Sequence, residues 1–381
     1  MKLRIAVTRR AYITSLDGVN RFVFTLAEGL SSLGHDVHVL SYSFRDVSRS
    51  EIGVYVKNLF DFEGKIHTLT DVPEAEIWPK IALTWLLKGS KFLNKLDLDA
   101  IIVNGMIPLR TEAAKIAVSH GHIHRSLFTG HIHRNLFTGK IPLQVYLQIA
   151  RYLYKHYTNV SVCPSSQLGR ELKKFIGVDS VIIPLPIRLH LFKSEPLHKR
   201  DSLIVHIGTR PTKNIELSIK STEIIVRKMN VNAKLIVVGS KNTYVEKLML
   251  KYKHLIPRHL NFMFYVDDTT LRDLLAHARV LVLPSVHESF GYVVLEAFAS
   301  GLPVVVSDAV PSEVVVDGYN GFRVYGFDAG LYAVRLASLL TDDSLWRNVS
   351  RNAMKTASNY SHIKIAKDYE CVVERLVEKS R

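Results

Sequence analysis

Two glutamates eight residues apart, Glu288 and Glu296, bracket a run suited to a ligand that carries both hydroxyls and phosphates. The run reads Val280-Leu-Val-Leu-Pro284-Ser-Val-His-Glu288-Ser-Phe-Gly291-Tyr-Val-Val-Leu-Glu296-Ala-Phe-Ala-Ser-Gly301-Leu-Pro303. A buried apolar strand is expected to end at Pro284, a loop to carry Glu288, and a helix to begin near Gly291. Gly291 lets the backbone approach a ligand closely, and the free N–H groups of a helix start attract anions. Glu296 then falls about one to two turns into the helix, and Gly301-Leu-Pro303 stops it and feeds the next strand. Two glutamates alone would more often be a helix cap and a surface acid. The Pro-Ser, Phe-Gly, Glu-Ala and Gly-x-Pro context sets this pair apart.

A second cluster is His206-Ile-Gly208-Thr-Arg210-Pro-Thr-Lys213-Asn214, directly after an apolar strand. A glycine turn that carries an arginine and a lysine and then opens a helix is a credible diphosphate clamp. Taken by itself, such a turn is a weak signal and reads more readily as a solvated basic loop. Upstream, Val118-Ser119-His120-Gly121 puts a histidine at a strand end, a placement that by itself is more often incidental. Gly121 also opens a nine-residue tandem repeat, with His122 and His124 in one copy and His131 and His133 in the other. Each His-x-His pair would share a face on a strand, yet no Asp, Glu or Cys completes a metal set. A basic aromatic loop is the preferred reading. Near the start, Asp17-Gly18-Val19-Asn20 precedes a helix, with Asp17 expected to cap it and Gly18 to bring its start near phosphates.

Such residues need a frame, and the pattern supplies one. Short apolar runs alternate with longer amphipathic ones, the signature of βαβ units. Strands are expected at 3–8, 37–41, 100–103, 116–119 and 160–163, then at 203–207, 234–238, 261–264, 280–283 and 303–306. Two successive sets of about five argue for two Rossmann-like domains in tandem. Pro184, Pro186 and Pro196, with polar residues up to Asp201, mark the boundary. Ile365, Tyr369, Val372, Val373 and Leu376 recur at helical spacing in a final helix over 361–381.

The Glu288–Glu296 run resembles the Glu-x7-Glu signature of retaining GT-B glycosyltransferases, in particular glycosyltransferase family 4. The resemblance extends through Leu235–Gly239, Phe264-Tyr265-Val266, Pro311-Ser-Glu313 and Asp317–Gly321. It implies an α/β fold of two Rossmann-like domains facing across a cleft, with the last helix crossing back to the N-domain. The expected divisions are 1–186 for the acceptor side, 187–360 for the donor side, and 361–381 for that helix. It implies transfer of a sugar from a UDP- or GDP-linked donor to a hydroxyl of a glycan, lipid or small molecule, with retention of configuration. No metal or other cofactor is implied. Glu288 would contact the sugar and Glu296 the ribose hydroxyls, while Ser289, Phe290 and Gly291 bind diphosphate through backbone amides. Arg210 and Lys213, on the Gly208 turn, would neutralise the leaving diphosphate; Tyr265 and Val266 would put backbone near the base. His120 would lie by the reacting sugar and Gly18 by the phosphates. Asp17 stands where the family usually has a first glycine.

Composition narrows the rest. The 381 residues fit about two domains, and 47% hydrophobic with 22% charged residues is ordinary for a folded chain. A formal charge of +15 suits a phosphorylated ligand, an anionic membrane surface or nucleic acid, but no nucleic-acid motif accompanies it. Amphipathic stretches at 85–95, with Lys88, Lys91 and Lys95, and at 146–157, with Arg151 and Lys155, suit either anionic lipid or an ordinary core-packed helix with a basic outer face. Two distant cysteines, Cys163 and Cys371, read as small core residues in a reducing compartment. With neither a signal-peptide pattern nor a membrane span, a cytoplasmic or membrane-peripheral enzyme is expected. The rival readings are a GT-B-fold epimerase or phosphorylase, and a non-catalytic basic protein on a transferase scaffold.

Overall fold

The computed structural model describes residues 1–12, 18–43, 56–57, 62, 64–69, 78–105, 107–121 and 143–380. Its chain divides into two compact units, 1–186 with 362–381, and 187–361. Each is built on a parallel sheet, so its central strands carry nearly continuous apolar runs rather than alternating ones.

In the first unit the strands are β1 (Arg4–Tyr12), β2 (Asp36–Ser43), β3 (Lys65–Thr68), β4 (Ala100–Asn104), β5 (Ala114–Val118), β6 (Val160–Cys163) and β7 (Ser180–Ile182). Their order is β3-β2-β1-β4-β5-β6-β7. The second unit has β8 (Leu203–Ile207), β9 (Lys234–Gly239), β10 (Leu260–Phe264), β11 (Val280–Leu283), β12 (Val304–Ser307) and β13 (Gly321–Val324), in the order β10-β9-β8-β11-β12-β13. In both sheets the winding direction reverses once, between β1 and β4 and between β8 and β11. Ligands of open α/β sheets bind at the carboxyl ends of the strands flanking such a reversal.

Every strand read from the sequence has its counterpart, but the sheets are larger than expected. β3, β7 and β13 were not anticipated, and each is the outermost strand of its sheet. Edge strands are short and half solvated, so β7 (Ser-Val-Ile) lacks the buried apolar run that marks a central strand. β13 opens with Gly321, where a Cβ would meet the Val304 carbonyl oxygen at 2.8 Å.

The terminal helix, His362–Ser380, belongs to the first unit and packs on the Gly18–Ser32 helix. Gly29 makes this approach possible: a Cβ there would lie 2.5 Å from the His362 carbonyl oxygen and 2.9 Å from Ala366 Cβ. Ile365, Ala366, Tyr369 and Val373 are buried, and His35 Nε2 meets Glu370 Oε1 at 2.9 Å. Of the two cysteines only Cys163 is a core residue. Cys371 is exposed on the terminal helix, because it falls between the buried positions 369 and 373.

Candidate functional site

The second unit gathers most of its candidate site residues at and just beyond the carboxyl ends of β8 and β11. These strands are hydrogen-bonded neighbours, so the loops that leave them are forced side by side. β8 runs into the Gly208–Lys213 turn, and β11 runs into the loop carrying Ser285 to Phe290. Val286 N donates to the Thr212 carbonyl at 2.8 Å, tying the two loops through their backbones.

Lys213 Nζ lies 2.6 Å from Glu288 Oε2, and both side chains are largely buried. Gly208 lets the lysine fold back: its φ is +105°, and a Cβ would meet Lys213 Cγ at 3.0 Å. Arg210 is exposed and, among the described residues, its guanidinium has no hydrogen-bond or ion-pair partner. One cation is thus held by a carboxylate and the other stands free at the rim.

Beyond Glu288, Phe290 is buried and packs edge-on against Tyr360 with ring centroids 5.8 Å apart. That contact anchors the loop, so Phe290 offers a ligand its backbone rather than its ring. Gly291, at φ +96°, caps the Tyr292–Ala299 helix without a side-chain cap bond. Among the described residues, the N–H groups of Phe290 and Gly291 make no intrachain hydrogen bond. They leave a helix start with open donors, the chemistry of an anion site. Ser289 lies between Glu288 and Phe290 and is half-buried. Glu296, in the second turn of the helix, is only 3% exposed.

Tyr265 and Val266 follow β10, on the same edge of the sheet and two strands from β8. At the usual spacing that is roughly 10 Å, the reach from a phosphate toward a base. Tyr265 has φ +55° and its N–H is held by the Gly239 carbonyl at 3.1 Å, which leaves its side chain exposed.

In the first unit, His120 follows β5. Its Nε2 is 2.6 Å from Asn104 Oδ1, and Asn104 Nδ2 donates to the Thr8 carbonyl at 2.7 Å. That second bond fixes the amide orientation, so His120 Nε2 is the donor and Nδ1 carries the lone pair. Phe22 packs edge-on to the ring at 4.5 Å. Burial, and then the charge of Arg9, push the His120 imidazolium down to about 3. Arg9 Nε in turn donates to Asn20 Oδ1 at 2.7 Å. Gly18 opens its helix and is exposed. The expected cap at Asp17, and His122, His124, His131 and His133 of the repeat, lie outside the described residues.

Sequence reasoning gave no role to Asn104, which bonds His120, to Arg9, whose charge acts on it and which bonds Asn20, or to Thr212, which joins the β8 and β11 loops. Asn104 stands at the end of β4, directly after the strand expected at 100–103, and its nearness to the reversal follows from the strand order alone.

Two doubly wound parallel sheets, each with polar residues at its reversal point, define a tandem Rossmann-like architecture. Family comparison agrees: residues 188–356 match the model described as Glycosyl transferases group 1, and residues 16–191 match Glycosyltransferase Family 4. The chain belongs to the family 4 type of glycosyltransferases with the GT-B fold. It is 32% identical over 186 residues to an uncharacterized glycosyltransferase of Methanocaldococcus jannaschii, covering 48% of this chain and 47% of that one. The matched part thus spans about half the length of that relative. Among solved structures, sucrose-phosphate synthase of Thermosynechococcus elongatus superposes with a TM-score of 0.77 at 17% identity, over 99% of this chain and 100% of that one. HepE of Anabaena, solved in complex with UDP-glucose, gives 0.74 at 15% identity, over 98% and 100%. Both likenesses concern the fold.

Proposed function

We propose that this protein transfers a sugar from a nucleoside diphosphate sugar to an acceptor hydroxyl, with retention of configuration and without a metal. The observation that carries this is the Lys213–Glu288 pair at the β8/β11 reversal, beside the open amides of Phe290 and Gly291. A cation and a set of fixed N–H dipoles suit the charge that develops on a leaving diphosphate, the electrostatic form of catalysis. Arg210, free at the rim, adds a second cation. Glu288 then has two partners in sequence: Lys213 without donor, and the sugar hydroxyls once phosphate takes the lysine. Glu296 is assigned the ribose hydroxyls, and the backbone at Tyr265 and Val266 the base. His120, neutral and with Nδ1 as acceptor, is assigned the orientation of a sugar hydroxyl. A UDP-linked donor is favoured by the UDP-glucose bound to a protein of the same fold.

The acceptor is a glycan, a lipid-linked group or a small molecule. Lipid is favoured by one surface. From Trp78 to Leu96 there is no acidic residue, and Leu83 and Leu87 are 53% and 61% exposed among the exposed Lys80, Lys88, Lys91 and Lys95. Basic residues flanking apolar ones suit peripheral contact with anionic lipid. Among the described residues no helix is long and apolar enough to cross a membrane.

The test is a screen of UDP-, GDP- and ADP-sugars by calorimetry and by mass spectrometry of products. At least one donor is expected to bind and to be slowly hydrolysed without acceptor; neither for any donor would sink the proposal. Co-sedimentation with anionic liposomes at low salt tests the lipid contact, and no sedimentation would remove it.

A further inference from the structure

His206 lies in β8, fully buried, and faces the Ile215–Lys228 helix. Its Nε2 is 3.1 Å from the Gly208 carbonyl oxygen and its Nδ1 is 2.9 Å from Ser218 Oγ. A carbonyl can only accept, so Nε2 carries the proton and Nδ1 accepts from the Ser218 hydroxyl. Burial, followed by the nearby charge of Lys213, pushes the imidazolium down to about 3, so the ring is a neutral strut between helix and turn.

The strut has a consequence for the next amide. The only cis peptide among the described residues is Ile256–Pro257, so the Gly208–Thr209 peptide is trans and its N–H points opposite to its carbonyl. With the Gly208 carbonyl drawn toward His206, the Thr209 N–H is turned away from the ring. Thr209 is only 5% exposed, and its other polar groups are engaged: Oγ1 accepts from Ser240 N at 3.0 Å and the carbonyl accepts from Asn242 Nδ2 at 3.1 Å. Its N–H alone has no hydrogen-bond partner among the described residues. Buried amides are almost always paired, so one left open beside a lysine is a place where an acceptor belongs. The lysine is Lys213, whose side chain folds over Gly208.

We propose that His206 is a positioning residue: through the Gly208 carbonyl it aims the Thr209 N–H at the donor phosphate that Lys213 binds. This rests on the transferase reading above. It adds to the clamp a backbone donor and the side chain that sets its direction.

The test uses UDP, GDP and ADP as probes on the full chain, by calorimetry. Glutamine can place its amide nitrogen where Nε2 stood, whereas asparagine reaches only the Nδ1 position. His206→Gln should keep diphosphate affinity within about threefold of wild type, while His206→Asn and His206→Phe should lose about tenfold or more, the worth of a hydrogen bond to a charged group. A core-packing role would penalise glutamine and asparagine alike, and equal losses overturn the proposal. A second measurement needs no variant: in the wild-type protein, exchange of the Thr209 amide hydrogen should slow at least about tenfold on saturation with the diphosphate that binds. Unchanged exchange also overturns it. If wild type binds none of the three nucleotides, the transferase reading falls first; binding with indistinguishable variants removes the His206 role alone.

Discussion

Lys213 Nζ and Glu288 Oε2 stand 2.6 Å apart, although 75 residues separate them in the chain. The contact makes the carboxylate a competitor for the same cation that a phosphate would seek. Removing Glu288 therefore frees Lys213. Glu288→Ala is expected to cut turnover by about a hundredfold or more while leaving diphosphate affinity unchanged or tighter. Lys213→Ala should weaken both. Kd from calorimetry and kcat from product formation separate the cases, and weaker diphosphate binding by Glu288→Ala would contradict the competition.

Glu296 is assigned the ribose, which gives it a distinct signature. Wild type should discriminate against a 2′-deoxy or 3′-deoxy nucleoside diphosphate by about tenfold, the value of a charge-assisted hydrogen bond. Glu296→Gln should reduce that discrimination. Variant and wild type preferring the ribonucleotide equally would remove Glu296 from the ribose site.

His120 should not appear as an ionisation in the activity profile. With its imidazolium held down to about 3, it stays neutral through the whole working range, and its Nδ1 remains an acceptor. The pH dependence of kcat/KM for His120→Gln should therefore have the shape seen in wild type, at a lower level. A limb near pH 6.5 that vanishes only in the variant would show that His120 titrates.

His206 makes a claim about stability in acid. Its folded-state value lies near 3, below that of an unfolded histidine near 6.5, so the unfolded chain binds more protons between those limits. Stability contributed by the neutral ring is complete above about pH 6.5 and is lost as the pH falls toward 3. The denaturant midpoint should decline across that window in wild type, and more shallowly in His206→Gln. Parallel slopes would mean that His206 is already charged in the folded protein.

Gly29→Ala inverts a familiar rule. Alanine in a helix interior normally stabilises by about 1 kcal/mol relative to glycine. Here the added methyl would press on the His362 carbonyl at 2.5 Å, so a net loss of about 1–3 kcal/mol is expected. Urea denaturation measures it directly, and a stabilised variant would show that the terminal helix yields.

Much of this was legible before any coordinates. The apolar runs that became central strands had to be buried, and burial on both faces leaves an unmistakable signal in sequence. The spacing of Glu288, Gly291 and Glu296 survived intact because it lies within a single loop and helix, where sequence distance and spatial distance nearly coincide. The edge strands β3 (Lys-Ile-His-Thr), β7 (Ser-Val-Ile) and β13 (Gly-Phe-Arg-Val) carried no such mark, since each is three or four residues long with a polar or charged residue among them.

What the sequence determined by itself was local: which segments form strands, where helices start, and that Arg210, Lys213, Glu288 and Glu296 are the residues worth watching. Tertiary structure decided their partnerships. Lys213 meets Glu288 only because β8 and β11 are adjacent at a reversal of winding, and strand order is not written in any one strand. The neutral state of His120 and His206, the hydrogen-bond direction of Asn104, and the open amide of Thr209 likewise depend on what the fold buries beside them.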